Sequence, residues 1–276
     1  MQRWLRLTIL LVLPLTASAT TNAQSVTGGL IGYWPFNGNG SDLSGGARSL
    51  TIYGNAGFAG GLFGQALDLH ANQSQYAGRP VDDSVFDFGL SNFTVQIWVN
   101  YNTVQREQNL FEKFEGGGGP GWTLTSLLEG AGSTFGQAHF WAIEGQLALY
   151  SQAPLNFKTG VWRHFVARRT GTSFELFNNG VVVDSKTNAL PVTNTAFPLI
   201  VGRRNAADGR DFSADGRLDE AAIWNRTLTN SEIAFLYNGG AGNPVIVPEP
   251  RCAAIVAIIA CVGVCGRRRL TSPRHR

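Results

Sequence analysis

The segment FTVQIWVNY, residues 93 to 101, restricts the fold of this chain more than any other feature. It alternates with a period of two. One face of the extended segment carries Phe93, Val95, Ile97, Val99 and Tyr101, and the other carries Thr94, Gln96, Trp98 and Asn100. This period is typical of a β-strand that buries one face, and it does not match the 3.6-residue period of an amphipathic helix.

Similar short segments recur along the chain and are separated by turn residues, in keeping with its 34 glycines. Asn179-Gly180 is a typical hairpin turn between two of them. The pattern predicts further strands at 30–36, 50–53, 66–69, 109–113, 122–127, 138–142, 147–150, 161–169, 173–178, 181–184, 199–201 and 217–224. Since no long amphipathic helix separates these strands, we predict an all-β fold, a two-sheet antiparallel sandwich of jelly-roll type.

One short helix is predicted near the end of the β-rich body. Thr229 and Glu232 are spaced as a capping box, in which each side chain accepts a hydrogen bond from the other residue's backbone N–H. Ile233, Leu236 and Tyr237 then form an apolar stripe, and Gly239 can end the helix.

Charge and cysteine content exclude some classes of function and of stabilisation. Between residues 24 and 247 there are 14 Lys and Arg against 18 Asp and Glu, a formal charge of −4. Nucleic acid is therefore excluded as a partner, because binding it needs a clustered positive field. All three cysteines lie beyond residue 250, so the body must be stabilised by its core or a metal rather than by disulfides.

The first 23 residues have the order of a secretory signal peptide. Arg3 and Arg6 precede an apolar run from 7 to 15, and Ala17-Ser18-Ala19 forms a small-x-small cleavage site. Thr21-Asn22-Ala23 is an alternative cleavage site, and an uncleaved anchor is the alternative reading of the segment.

The C-terminal segment has the order of a sorting signal. Residues 247–270 contain Pro248-Glu249-Pro250, an uncharged run from 252 to 266 and an arginine cluster of Arg267, Arg268 and Arg269. As a helix the run would be about 22 Å long, a short membrane span. This order resembles the PEP-CTERM signal of Gram-negative bacteria. The resemblance implies transient inner-membrane anchoring, with 271–276 as a basic cytoplasmic tail, and removal by an exosortase-type enzyme. A permanent anchor is the alternative.

The body, residues 26–243, resembles the LamG-like branch of the concanavalin A-like lectin/glucanase superfamily. The matching blocks are GLIGYWPFNGNGSDLSGGARSLTIYG, GLFGQALDLHANQSQYAG, SNFTVQIWVNY, VWRHFVARRTGTSFELFNNGVVV and GRLDEAAIWNRTLTNSEIAFLYNGG. Residues from about 101 to 150 match poorly. The resemblance implies a β-sandwich that often binds a structural Ca²⁺ and often carbohydrate, and it does not imply one activity.

A calcium site is one hypothesis for the acidic residues. Asp42 lies in a glycine-flexible turn that also holds Asn37, and Asp219 lies beside the last strand. In members of the family the first and last strands are neighbours, which would let Asp42, Asp219 and Asn37 supply the oxygen ligands that Ca²⁺ prefers. The alternative is that Asp42 only caps its turn and Asp219 only binds backbone N–H groups.

Catalytic assemblies are not indicated. A glycosidase needs two suitably spaced carboxyl groups. Asp219 and Glu220 are adjacent, so a regular strand would direct them to opposite faces, and Glu112 and Glu115 are also on opposite faces. Glu220 is instead interpreted as a polar anchor of the turn. His164 is interpreted as a packed strand residue.

Carbohydrate binding is the favoured hypothesis for the poorly matching middle, because sugar rings stack on aromatic faces. Trp122, Trp141 and Tyr150 are the aromatic candidates, and Arg203 and Arg204 could donate to hydroxyls or carboxylates. The alternative for Trp141 is core packing, and the alternative for the 203–216 segment is a solvated loop.

Together these observations predict an exported, non-catalytic protein that binds an exopolysaccharide or other glycan. It would reach the cell surface or extracellular matrix of a Gram-negative bacterium after transient inner-membrane anchoring. The alternative is a structural or adhesive matrix protein that makes protein–protein contacts.

Overall fold

Two antiparallel β-sheets form the body of the chain in a computed structural model that describes residues 26–127, 136–151, 155–205 and 212–246. The predicted signal peptide and sorting signal lie outside the described residues. Within that part the strands are β1 (Leu30–Trp34), β2 (Thr51–Tyr53), β3 (Gly57–Gly60), β4 (Gln65–Leu69), β5 (Tyr76–Gly78), β6 (Phe93–Tyr101), β7 (Gln108–Phe114), β8 (Gly121–Leu127), β9 (Gln137–Ala142), β10 (Leu147–Tyr150), β11 (Trp162–Thr170), β12 (Ser173–Asn178), β13 (Val181–Thr187), β14 (Ile200–Val201) and β15 (Gly216–Trp224).

The strands divide into an eight-stranded and a seven-stranded sheet. The first has the order β13-β12-β11-β6-β15-β4-β3, with β1 also paired to β15. The second has the order β10-β9-β8-β7-β14-β5-β2. Neighbours in space are often distant in sequence, as expected for a jelly roll. The predicted fold class is confirmed, and so is the predicted pairing of the first and last strands.

The space between the sheets is filled with aliphatic and aromatic side chains. Its largest fully buried rings include Trp34, Trp122, Phe93, Phe111 and Phe140. Burying one large apolar side chain contributes roughly 1.5–3 kcal/mol. A core of this size can stabilise a body without cysteines, in keeping with the sequence.

Strand β6 is buried on both faces, which its alternating sequence did not predict. Phe93 to Tyr101 is buried at every position. Trp98 lies on the face that points away from the core. Its ring stacks on those of His164 and Tyr237, with centroid distances of 4.7 and 6.1 Å. The covering element is helix α1 (Asn230–Tyr237), which closes a second apolar cluster around Trp224, Ile233 and Leu236.

Helix α1 begins with the predicted capping box. The Glu232 N–H donates to the Thr229 hydroxyl at 3.2 Å, and the Thr229 N–H donates to the Glu232 carboxylate at 2.7 Å. Arg226 also donates to that carboxylate, at 2.6 Å. Asn238 ends the helix in the left-handed conformation, one residue before the predicted Gly239.

Two short strands were not predicted. They are β3, with the sequence GFAG, and β5, with the sequence YAG, and both contain glycines that are typical of turns. They form only as partners of stronger strands, β4 and β14. Among the described residues, no helix has both the length and the hydropathy that a membrane span requires.

Candidate functional site

The predicted calcium ligands Asp42 and Asn37 act as acceptors for backbone N–H groups. Asp42 Oδ1 accepts from the N–H of Tyr33 at 3.0 Å and of Ser44 at 2.8 Å, and Oδ2 accepts from Arg48 at 2.9 Å. Asn37 Oδ1 accepts from the N–H of Gln65 at 2.8 Å. These are the contacts of a residue that caps its turn, which is the alternative given above for Asp42.

Asp219 is also engaged by backbone donors. Its Oδ2 accepts from the N–H of Leu62 at 2.7 Å, and its Oδ1 accepts from Glu220 at 2.8 Å. Within the described residues there is no group of three or more His, Cys, Asp or Glu side chains that could hold a metal ion. Because N–H donors already occupy these oxygens, the residues present do not form a ready calcium site. The calcium hypothesis stays a prediction.

Glu220 lies at a β-bulge, so the regular alternation expected for residues 219 and 220 does not hold. Its φ is 52°, and the register of β15 against β6 shifts between Asp219 and Ala222. Its carboxylate accepts from the Tyr33 hydroxyl at 2.8 Å and from the Val245 N–H at 3.3 Å. The side chain thereby links the first strand to the C-terminal end of the body.

Burial raises the pKa of both members of this acid pair, and the charge of Glu220 adds to the shift of Asp219. Burial, and next the charge of Glu220, raise the pKa of Asp219 to about 8. Burial raises the pKa of Glu220 to about 7. The hydrogen bonds described above give the side chains of Asp219 and Glu220 a structural role.

Trp122 lies in the core, which is a correction to its predicted sugar-binding role. Only 1% of the residue is exposed. Its ring packs on Phe88 and Phe111, with centroid distances of 5.5 and 5.6 Å, and its Nε1–H donates to the Phe86 carbonyl. Enclosed in this way, the ring has no face left for a ligand.

Trp141 is oriented differently, because β-strand residues alternate between faces. It lies on β9 between the core residues Phe140 and Ala142, and it is half-buried. Trp141 pairs with Thr123 of β8 and Ala148 of β10 on the outer face of the seven-stranded sheet. Phe114 contacts the ring edge-on at 4.8 Å. Trp141 is therefore well placed for a ligand that approaches this face.

A set of polar side chains lies on the same outer face, beside Trp141. Asn109 Nδ2 donates to the Glu112 carboxylate and to the Thr123 hydroxyl, the latter at 3.0 Å. Thr123 and Thr125 are in turn 3.1 Å apart, oxygen to oxygen. Thr125 pairs across the strands with His139, and His139 pairs with Tyr150. The polar face, as we call it, comprises Asn109, Glu112, Thr123, Thr125, His139, Trp141 and Tyr150.

The pKa values of the polar-face residues Glu112 and His139 are shifted in the directions that favour their neutral forms. Burial raises the pKa of Glu112 to about 7, against the opposing effects of the Arg204 charge and the Asn205 N–H. Burial lowers the pKa of His139 to about 3, helped by the charges of Arg204 and Lys186. At neutral pH His139 is therefore an uncharged imidazole, which can both donate and accept a hydrogen bond.

Two buried polar atoms on this face have no hydrogen-bond partner among the residues that the structure describes: Asn109 Oδ1 and His139 Nε2. The His139 ring stacks in parallel on Tyr150 at 4.3 Å, and Tyr150 is half-buried. Leaving such an atom unsatisfied costs roughly 1–3 kcal/mol. A ligand hydroxyl that reached these atoms would remove that cost.

The arginines predicted to bind sugar follow strand β14 and diverge. Arg204 is buried, and its guanidinium lies over Phe212 at 4.4 Å and beside the Glu112 carboxylate at 3.8 Å. Arg203 is half-buried, with its guanidinium 5.3 Å from the ring centroid of Tyr76. The Asn205 N–H donates to Glu112 at 2.6 Å, so Glu112 holds the start of this loop on the sheet.

Sequence reasoning identified the aromatic and arginine positions but missed Asn109, Glu112 and His139 as members of one site. In the sequence of β8, Thr123 and Thr125 alternate with core residues, and this pattern indicates that the outer face of the strand is polar. The grouping depends on the pairing of β7, β8 and β9, whose polar-face residues are up to 32 positions apart (109 to 141), and on a bulge between Asn109 and Phe111.

Solved structures with the same fold include a domain of an arabinanase and the binding domains of toxins. Domain 4 of AbnA, a GH43 extracellular arabinanase from Geobacillus stearothermophilus, solved with arabinotriose, is 21% identical, with a TM-score of 0.58 over 74% of this chain and 96% of that one. The binding domain of paraclostridial mosquitocidal protein 1 is 19% identical, with a TM-score of 0.59 over 78% of this chain and 53% of that one. These identities establish the fold alone.

The botulinum neurotoxin DC binding domain in complex with SialylT is another similar structure. It is 11% identical, with a TM-score of 0.57 over 78% of this chain and 52% of that one. The chain thus spans about half the length of the toxin domains that it matches. No curated protein matches the sequence.

A family model described as the concanavalin A-like lectin/glucanases superfamily, of the laminin G type, matches residues 73–234, more than half of the chain. The match spans strands β5 to β15 and most of helix α1, and therefore includes the whole polar face. By its sequence and by its two-sheet fold, the chain belongs to the concanavalin A-like lectin/glucanase superfamily.

Proposed function

We propose that this protein is a non-catalytic carbohydrate-binding domain whose ligand contacts the polar face. The observation that carries the proposal is the position of His139. Its Nε2 has no hydrogen-bond partner, its ring stacks on the half-buried Tyr150, and the half-buried Trp141 lies two residues away on the same side of β9. Sugars combine apolar ring faces with hydroxyls that both donate and accept, which fits this combination of groups.

Similar structures support the proposal at the level of the fold. The arabinanase domain was solved with arabinotriose and a neurotoxin binding domain with SialylT, so this sandwich can carry glycan sites. Because fold does not determine function, the proposal depends on the polar face of this chain.

The absence of an acid pair on the strands of this face supports a binding role over hydrolysis. The seven strands of this sheet carry one acid in their sequences, Glu112. Retaining and inverting glycosidases need two carboxyl groups, about 5–5.5 Å or 6.5–9.5 Å apart. Glu112 is also engaged, because it accepts from Asn205 and lies beside Arg204. It acts as the acceptor that positions the loop.

The proposal is tested by binding of the full chain to a panel of neutral and acidic glycans. We expect Trp141→Ala to weaken binding about tenfold, equal to 1.4 kcal/mol, by removing a stacking surface. Trp162→Ala is the matched control, because Trp162 is also half-buried but lies on the eight-stranded sheet. Equal loss of binding in both variants, or no glycan binding by the wild type, would overturn the proposal. The second result would favour the matrix-protein alternative.

We also propose that the protein is exported and sorted through its C-terminal segment. Support comes from the order of charged and apolar residues at the two ends, with Pro248-Glu249-Pro250 and Arg267-Arg268-Arg269 on either side of an uncharged run. Mass spectrometry of the protein from its native host is expected to show a mature form that starts near residue 20 or 24 and ends near residue 250. A form that retains the arginine cluster would favour the permanent anchor.

A further inference from the structure

We infer that the glycan bound at the polar face is acidic and that its carboxylate binds the guanidinium of Arg203, beside the stacked rings of Tyr53 and Tyr76. This inference rests on the proposed carbohydrate-binding function and names the chemical class of the ligand. It also extends the site across the sheet, from the His139 end to the Tyr53 end.

Arg203 is held in place by an aromatic surface rather than by an acid. Its guanidinium lies 5.3 Å from the Tyr76 centroid, and Tyr76 stacks on Tyr53 at 4.5 Å with 13° between the ring planes. All three residues are half-buried. A cation–π contact of this kind orients the guanidinium and leaves its N–H donors directed elsewhere.

In the described part of the chain, no hydrogen bond or ion pair involves the Arg203 guanidinium. Other partly buried arginines differ in this respect. Arg168 pairs with Glu175 at 2.7 Å, Arg226 pairs with Glu232 at 2.6 Å, and Arg79 is 3.5 Å from Asp83. A planar guanidinium without a carboxylate partner can bind a ligand carboxylate through two parallel N–H···O bonds.

The distribution of charge over this face favours an anion at the Arg203 end. Arg203 lies there over Tyr76, whereas Arg204 diverges from it and lies beside the Glu112 carboxylate at 3.8 Å. At the opposite end Asp184 accepts from the Tyr150 N–H at 2.9 Å, Glu107 lies near Tyr150, and Lys186 donates to the Ala148 carbonyl. The positive end contrasts with the formal charge of −4 for the body as a whole.

The spacing of the strands requires a ligand longer than one sugar. Trp141 is on β9 and Tyr76 is on β5, four positions apart in the order β9-β8-β7-β14-β5. At about 4.8 Å between neighbouring strands, the two positions are roughly 19 Å apart. A ligand that contacts both is an oligosaccharide that runs across the strands, with an uncharged unit at Trp141 and a carboxylate-bearing unit at Arg203.

Matched pairs of polysaccharides test the inference. The full chain is titrated with polygalacturonate, alginate and hyaluronate, and with the carboxyl-reduced form of each, in which a neutral hydroxymethyl group replaces the carboxylate. We expect at least one acidic polymer to bind about tenfold more tightly than its reduced form. We expect this preference to decrease as the salt concentration rises, because charge pairing is screened.

Two variants locate the effect. Arg203→Gln is expected to reduce the affinity for the acidic form to that for its carboxyl-reduced form, and so to abolish the preference. Arg217→Gln is the control, because Arg217 is also half-buried over an aromatic ring, that of Trp162 at 5.8 Å, but lies on the other sheet. Circular dichroism and thermal unfolding establish that both variants are folded.

The possible failures separate the two proposals. Equal affinity for acidic and reduced polymers, or binding of neutral glycans alone, overturns the inference and leaves the carbohydrate-binding function standing. A preference for the acidic form that survives Arg203→Gln also overturns it. If no glycan of any kind binds, the proposed function and this inference fail together.

Discussion

The outer faces of the two sheets both contain buried polar groups, but they differ in what covers those groups. On the eight-stranded sheet, the protein's own chain covers the face, and its acids and amides bind backbone groups. The Thr94 hydroxyl accepts from the Leu228 N–H at 3.0 Å, Gln96 donates to the Glu220 carbonyl at 3.2 Å, and Asp219 and Glu220 accept from several donors. Among the described residues, Trp98 Nε1, His164 Nδ1 and Asn100 Oδ1 on this face have no hydrogen-bond partner, and Tyr237 stacks over the two rings.

On the seven-stranded sheet, no helix of the described residues lies over the polar face. Asn109 Oδ1 and His139 Nε2 have no partner, and the flanking rings of Trp141 and Tyr150 are half-buried. The comparison shows that a buried acid is not by itself a sign of function. The acid pair that is most conspicuous in the sequence holds the fold together, whereas the proposed ligand site is the polar face, which the sequence does not emphasise.

The largest expected effect separates two tryptophans that lie on opposite faces of the seven-stranded sheet. Trp122→Ala removes a ring that is fully enclosed in the core, so we expect a loss of about 3–5 kcal/mol in the free energy of unfolding. Trp141→Ala, on the polar face, is expected to cost less than half as much. Urea denaturation measures both. Equal losses would show that Trp141 is also a core residue and would remove it from the site.

The next largest effect on the free energy of unfolding is expected for Asp219, whose carboxylate lies on the eight-stranded sheet. Asp219→Ala leaves the N–H groups of Leu62 and Glu220 without their acceptor, so we expect a loss of about 3 kcal/mol. Asp219→Asn keeps one oxygen acceptor and is expected to lose less. The measurement is the same urea titration. If Asp219→Ala were as stable as the wild type, Asp219 would have no structural role as an acceptor on the eight-stranded sheet.

A smaller effect depends on pH. The pKa values of Asp219 and Glu220 are raised to about 8 and 7 in the folded protein, so the folded state binds more protons than the unfolded state above pH 4. Stability is then lost as the pH rises through the folded-state values. We expect a loss of about 2–3 kcal/mol between pH 6.5 and 8.5, given 1.36 kcal/mol per pKa unit.

Histidines make the choice of this pH window important. Burial lowers the pKa of His139 and His164 to about 3. Below pH 6.5 their contribution to the free energy of unfolding therefore increases with pH, whereas the contribution of the two acids decreases. Unfolding titrations at pH 6.5, 7.5 and 8.5 measure mainly the buried acids, because the unfolded-state histidines are at most half protonated in this range. The double variant Asp219→Asn, Glu220→Gln should flatten the profile. An unchanged slope in that variant would assign the dependence to other groups, Glu112 first, since its pKa is also raised to about 7.

Calcium gives the smallest expected effect. The oxygens of Asp42 and Asp219 already accept backbone N–H groups, so we expect millimolar Ca²⁺ to leave the melting temperature unchanged relative to Mg²⁺. A rise that depends on Ca²⁺ concentration, and that disappears in Asp42→Asn, would contradict this expectation and establish the calcium hypothesis.

Local patterns in the sequence were enough to predict most of the fold. The period of β6, the Asn179-Gly180 turn and the Thr229–Glu232 capping box each act within a few residues, and the structure contains all three. Strands β3 and β5 were missed, because their short glycine-containing sequences become strands only beside β4, β14 and β2. The bulge at Glu220 was missed for the same reason, since its φ of 52° is stabilised by contacts to Tyr33 and Val245.

The sequence by itself determined the class of this protein, an all-β sandwich without cysteines in its body, because strand period, turn chemistry and capping are local properties. Only the tertiary structure decided which polar residues have functional potential. Whether a carboxylate or an imidazole finds a partner depends on strands that are distant in sequence, and pairing placed Asp219 among backbone donors while it left His139 Nε2 without one.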